Sequence, residues 1–187
     1  MSDTIVIAEL SKGKISQTTN ELVTAANQLG SSCTIVVPCA DSSMANDATN
    51  ISGVAKVIAA KSDVFSNYDA AAWAEAIDAV APAGIIITSA SAQSKDLAAR
   101  IAARRSISVI QDVISIDGTT LSTPIYSGKV IQNLSVNGDA VISIRANIFT
   151  PSENSGSSDM QVIDTSGNVT TAVKEMVQRA SERLDVS

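Results

Sequence analysis

Apolar positions along this chain follow two rhythms, and the switch between them divides the molecule. In the first part, short runs of β-branched residues alternate with segments whose apolar residues recur every three or four positions. The runs at residues 4–10, 33–37, 55–60 and 84–88 read as strands, the second of them stopped by Pro38. Between them lie helical patterns. In the first, Thr18 and Glu21 offer a capping box, Leu22, Val23, Ala26 and Leu29 share one face, and Gly30 ends the helix. The second is a small-residue helix over residues 41–51, closed by Gly53. In the third, Asp69 caps a helix whose stripe is Trp73, Ile77 and Val80.

The fourth strand opens the stretch around which the chain is organised. Residues 84–88 are apolar throughout and predict a strand buried on both faces. A loop of small residues follows at 89–93. Ser94 then caps a helix carrying Leu97, Ala98, Ile101 and Ala102 inward, with Arg100, Arg104 and Arg105 near its carboxyl end. Alternation of this kind predicts a parallel sheet with right-handed crossovers. Ligands meet such sheets at the carboxyl ends of the strands.

After Ser108 the rhythm changes to strand-like runs at residues 109–116, 121–127, 130–136 and 140–149. Asp117-Gly118 and Asn137-Gly138 between them are hairpin turn signals, so an antiparallel meander is expected beside the parallel sheet. The meander carries apolar residues on both alternating sets, as at Ile125 with Tyr126 and Ile131 with Leu134, which predicts a covered second face. Residues 151–159 are rich in serine and glycine and read as a mobile loop, and 160–163 as one more strand. A final helix is expected over 170–184, with Val173, Met176, Val177, Ala180 and Leu184 on its stripe. The 187 residues are read as one domain, 1–187, of which 150–187 are a loop and terminal helix.

Composition narrows the chemistry. Aromatic residues make up 3% of the chain, so the core is aliphatic and alanine-rich. A net charge of −6 argues against nucleic acid or an anionic membrane as partner. No apolar run approaches the roughly 20 residues of a membrane span. The first residues, Met1-Ser-Asp-Thr, resemble neither a signal nor a transit peptide, so a bacterial-type cytoplasmic protein without membrane insertion is expected. Cys33 and Cys39 lie about 20 Å apart if joined by a strand, too far for a disulfide, and read as reduced structural thiols. The chain has no histidine, which removes the Ser-His-Asp triad and every His-containing metal site. None of its nine glycines forms a phosphate-binding motif. Ser89, Ser91, Ser94, Lys95 and Asp96 cluster at a strand end, either as an anion site or as loop solvation plus a cap. Neither Lys95 nor Lys12 sits in a pattern that makes a catalytic base. Arg145, inside a strand-like run, predicts a structural ion pair or an interface contact. No catalytic, cofactor-binding or metal-ligating residue is assigned.

Several fragments, in their order and spacing, resemble the amino-terminal domain of the electron transfer flavoprotein α subunit. They are Ile-Val-Ile-Ala-Glu at 5–9, the helix at 22–29, Gly-Val-Ala-Lys-Val at 53–57 and Ser-Lys-Asp-Leu at 94–97. Ile-Gln-Asp-Val at 110–113, Pro-Ile-Tyr-Ser-Gly at 124–128 and Ile-Ser-Ile-Arg-Ala at 142–146 continue the series. The resemblance implies a three-layer, adenine nucleotide alpha hydrolase-like α/β fold with an antiparallel hairpin extension. It implies a heterodimer with a β subunit, carrying one FAD and passing electrons from dehydrogenases to a membrane quinone reductase. In that family the FAD is held mainly by a carboxyl-terminal domain through a Ser-Gly-Gly-Arg-Gly loop, and AMP by the β subunit. No such loop occurs in these residues, so no FAD is expected on this chain alone, and a non-catalytic scaffold role is expected. The alternative is an AMP- or ATP-binding domain related to the universal stress proteins, using the strand ends around Ala8, Val37 and Ser89.

Overall fold

In a computed structural model of the chain, residues 3–30 and 32–175 are described. The first strand, β1 (Thr4–Ile7), is shorter than its apolar run, because the chain turns at once into a small hairpin of β2 (Leu10–Ser11) and β3 (Lys14–Ile15). Helix α1 (Gln17–Leu29) is capped by Ser16, whose side chain accepts the Thr18 N–H. Thr18 and Glu21 therefore do not form the expected capping box. Gly30 does end the helix.

Strand β4 (Cys33–Cys39) runs through Pro38 rather than stopping there. The Val36 carbonyl accepts the Ala8 N–H on the β1 side. Pro38, two residues on, faces the same side but lies beyond the last β1 pair, Ile7 with Val36. No ladder donor is lost, so the proline is tolerated. The segment expected as an α-helix is instead a 3₁₀ helix, Ser42–Asn50, capped by Asp41. Its buried positions are Ala45 and Ala48, continued by Ile51 just past its end, a spacing of three that fits three residues per turn.

Strand β5 (Lys56–Lys61), a short 3₁₀ turn at Asp63–Ser66 and helix α2 (Ala70–Asp78) follow. Asp69 caps α2 by accepting the N–H groups of Ala71 and Ala72. Then come β6 (Ile85–Ser89) and α3 (Ala92–Arg105). Gly84 enters β6 at φ 136°, and a Cβ there would stand 2.3 Å from the Asp3 carbonyl oxygen. Only glycine admits both the angle and the contact.

The run at 109–116 is two strands, parted at Ile114 just after an irregularity in which Asp112 adopts φ 58°. The first, β7 (Ser108–Val113), belongs to the main sheet. The second, β8 (Ser115–Asp117), pairs antiparallel with β9 (Thr120–Ile125), and β9 with β10 (Val130–Ser135). Asp117-Gly118 is thus a hairpin turn, but Asn137-Gly138 is not. It leads into β11 (Ala140–Ile144), which is buried along its whole length and lies parallel between β6 and β7. A strand apolar on both faces belongs inside a parallel sheet, not at the end of a meander.

The stretch at 151–159, expected to be mobile, is tied down along its length. Ser152, Gly156 and Ser158 donate their N–H groups to Asn20, Asn50 and Thr49, and Glu153 accepts from Ser52. It delivers the edge strand β12 (Asp159–Asp164), expected from the sequence, to β5. Residues 170–175 are not helical, and the rest of the expected final helix lies outside the described residues.

The main sheet has the order β12-β5-β4-β1-β6-β11-β7, with every pairing parallel. Alternate residues of the central strands feed two cores. Val6, Ile35, Ile87 and Ile142 meet α1 and the long 3₁₀ helix, while Ile5, Ile58, Ile86 and Val141 meet α2 and α3. The result is a three-layer α/β fold with a separate three-stranded antiparallel sheet.

Candidate functional site

The strand order reverses between β1 and β6, so the crevice at their carboxyl ends is where this architecture would take a ligand. Ala8, Glu9, Pro38 and Thr88 lie there, opposite Ser94 and Leu97 of α3 and the ring of Trp73. The space they enclose is about 80 Å³. Ligand sites for drug-sized molecules run from about 300 to 1,000 Å³. Trp73 is fixed in the wall: its Nε1 donates to the carbonyls of Val64 and Asn67, and its ring meets Phe65 and Tyr68 edge-on. The space enclosed at the switch point lies below that range.

The serine cluster is brought together, but its hydroxyls engage one another. Ser94 Oγ accepts from Ser89 Oγ at 2.9 Å and from Ser91 Oγ at 3.0 Å. Ser91, not Ser94, caps α3 by accepting the Ser94 N–H at 3.2 Å. Lys95 forms an ion pair with Asp112 at 2.7 Å, and the Asp112 N–H donates to Ser143 Oγ. Asp96 pairs with Arg100, and Tyr68 Oη lies 3.2 Å from Asp96 Oδ2. Burial, and then the Asp96 charge, push the Tyr68 phenol up to about 12. Arg105 bonds Asp78 at 2.6 Å and also the carbonyls of Ala81 and Pro82, closing the turn before β6. The charges of the central stretch thus hold α2, α3 and β7 together.

Elsewhere, Cys33 and Cys39 are buried free thiols, as expected. Lys12 stands in the turn of the small hairpin at φ 52°. Arg145 lies just past β11, is exposed, and makes no ion pair among the described residues, so the expected structural pair is not there. No helix among the described residues is long and apolar enough to cross a membrane.

Among the described residues, apolar side chains are exposed at Ile148, Val162, Val169 and Val173 and on the β9–β10 hairpin, where Tyr126 is the most exposed of all. Tyr126 is 76% exposed, and Val130 and Ile131 are about half exposed. Tyr126, Ser127 and Gly128 all take positive φ, so two non-glycine residues are held in the left-handed region at the tip. Ile131 and Val130 lie on opposite faces of this small sheet, and Leu121, on the Val130 face, is buried in the core. Two features escaped the sequence reading. Glu21 receives the Asn147 N–H, 126 residues away, and Asp69 holds Thr170 and Thr171 as well as α2. Neither contact leaves a local signal.

The model of the electron transfer flavoprotein domain matches residues 4–185. The chain is similar to an electron transfer flavoprotein subunit alpha of Mycobacterium tuberculosis, 30% identical over 153 residues, covering 78% of this chain and 48% of that protein. It is 29% identical over 165 residues to the Mycobacterium leprae subunit alpha, covering 83% and 52%. To the mitochondrial subunit alpha of Arabidopsis thaliana it is 32% identical over 158 residues, covering 78% and 44%. The chain spans about half the length of these relatives.

Proposed function

The chain belongs to the electron transfer flavoprotein family, and from that premise we propose that it is a non-catalytic scaffold unit of an α subunit, one that pairs with a β subunit and seats an FAD-bearing domain. In this reading the assembly carries electrons from dehydrogenases to a quinone reductase, and works in the cytoplasm. The FAD is held outside the described residues.

The observation that carries the pairing is the β9–β10 hairpin. The turn at 126–129, with its backbone already bent into the left-handed region and with Val130 and Ile131 exposed next to it, presents Tyr126 with little further backbone ordering on contact. Tyrosine is enriched at interface centres for that reason. The test is sedimentation velocity of the chain with its cognate β subunit. A stable one-to-one complex is expected, and Tyr126→Asp should weaken it at least tenfold, about 1.4 kcal/mol, with unchanged far-UV circular dichroism. A wild-type chain that stays monomeric beside β at high micromolar concentration removes the proposal.

A further inference from the structure

Between β10 and β11 the chain leaves the small antiparallel sheet and crosses to the interior of the main one. Both ends of the crossing are held. Val136 is buried and donates its N–H to the Thr119 carbonyl, and Ala140 is buried at the start of β11, opposite Ser108 of β7. The residues between them, Asn137, Gly138 and Asp139, are exposed. Gly138 adopts φ 99°, and a Cβ built on it would meet no heavy atom within 4 Å. Its N–H donates no hydrogen bond among the described residues. The Asn137 amide is equally unengaged among them, unlike that of Asn133, whose Oδ1 accepts from Ser122, or of Asn154, whose Oδ1 accepts from Asn20. Every other asparagine of the chain precedes a residue with a side chain. Asn137 precedes glycine, so the main-chain nitrogen beside its amide is unshielded.

We propose that Asn137-Gly138 is a site of spontaneous modification, at which the asparagine turns into a mixture of isoaspartate and aspartate as the protein ages. The Gly138 nitrogen attacks Asn137 Cγ. A carbon–nitrogen bond forms, the Cγ–Nδ2 bond breaks, and Nδ2 leaves as ammonia, taking through solvent the proton that Gly138 gives up. The five-membered imide then adds water at one of its two carbonyl carbons. Opening at Cγ gives aspartate, and opening at the Asn137 main-chain carbon gives isoaspartate. One water enters and one ammonia leaves, with no change of oxidation state. Asparagine is a thermolabile residue, and here neither packing nor a hydrogen bond restrains it. Either product places a new carboxylate next to Asp139, on a chain whose net charge is already −6. Isoaspartate also adds one methylene to the main chain. With Val136 and Ala140 fixed, the added length bulges outward at an exposed loop, so β11 keeps its place. Asp117-Gly118 can close the same ring, but it does so by losing water and regains it on opening, so its mass is unchanged. The site lies at the opposite end of β10 from Tyr126 and is independent of the proposed β-subunit contact.

The test is to incubate the full chain in mildly alkaline buffer at physiological temperature and follow the peptide holding residue 137 by mass spectrometry. A gain of about 1 Da is expected at Asn137 before any other asparagine. A more acidic peak should grow on anion exchange, and the isoaspartyl peptide should separate from the aspartyl one. Asn137→Gln, whose ring would need one more atom, should remove the acidic peak. Gly138→Ala should slow the gain roughly tenfold by shielding the nitrogen. If φ 99° keeps that variant from folding, Asn137→Gln at the exposed loop carries the comparison alone. Native and urea-unfolded wild-type chains should react at rates within about threefold of each other, because the fold does not protect the dipeptide. An Asn137 that stays intact in the native chain while the unfolded chain loses it, a gain that appears first at another asparagine, or an acidic peak that persists in Asn137→Gln would each overturn the proposal.

Discussion

Ile86 is fully buried at the centre of β6, paired with Ile5 on one side and Val141 on the other. Truncation there removes three carbons from a site that two neighbouring strands prevent from collapsing. Ile86→Ala should therefore cost roughly 2–5 kcal/mol, read as a lower urea midpoint with an unchanged slope. Burial pushes the Cys33 thiol up to about 12, and burial followed by the Asp41 charge pushes Cys39 up to about 11. Both should resist iodoacetamide at pH 8 in the native chain and react in urea. Folding favours their neutral form, so the associated stability is full below the unfolded value of 9.0 and is lost as pH rises through the folded values. A urea midpoint that stays flat from pH 8 to 11 would contradict this. Buried aliphatic positions such as Ile86 were legible in the sequence because a continuous β-branched run declares itself. The caps were not. Ser16 competes with Thr18, and Ser91 with Ser94, within three residues of each other, and the winner depends on where the first turn begins.

At the level of elements, residues 165–171 run along α2 as a strap. Thr165 Oγ1 donates to the Ala76 carbonyl, the Asn168 N–H to Glu75, and both the N–H and the hydroxyl of Thr170 and Thr171 to Asp69 Oδ2. Gly167 lies so close to α2 that a Cβ would stand 2.1 Å from the Ala72 carbonyl oxygen. The Ala72 N–H foremost, then the Thr171 hydroxyl and the Thr170 N–H, hold the Asp69 carboxyl well below the usual carboxylate range. A lowered value means that this stabilisation is present above the ordinary value of 3.8 and fades as pH falls through the folded one. The strap should thus stay locked at neutral pH. Asp69→Ala and Gly167→Ala should each speed amide exchange at 168–171 while leaving β1 and β6 protected, as read by hydrogen exchange with mass spectrometry. Exchange unchanged in both variants would show that the strap is held by something else. The alternating strands and helices ahead of α2 were readable because each carries its own period. The strap was not, since its contacts join residues about 90 to 100 positions apart.

For the whole molecule, alternation of strand and helix was enough to read a parallel sheet from the first four strands, and the Asp117-Gly118 turn to read the start of a meander. The place of β11 was hidden, because Asn137-Gly138 looks the same whether the next strand folds back or crosses to another sheet. That crossing inserts β11 beside β6 and leaves the order reversal between β1 and β6, the point where such sheets take dinucleotides. Here the crevice holds about 80 Å³, and the indole of Trp73 is hydrogen-bonded into its wall. FAD entering this crevice would have to displace that ring, and Trp73 is the chain's single tryptophan, so its fluorescence reports the event directly. The chain purified without partners should be colourless. Added FAD should separate from it on gel filtration and produce no saturable quenching of Trp73 beyond the inner-filter effect. Leu97→Ala, which removes part of the crevice wall, should make no difference, because enlarging the space supplies no donors for a pyrophosphate. Stoichiometric FAD that stays with the wild-type chain and quenches Trp73 would place a flavin at the strand ends after all, and would overturn the scaffold reading of these residues.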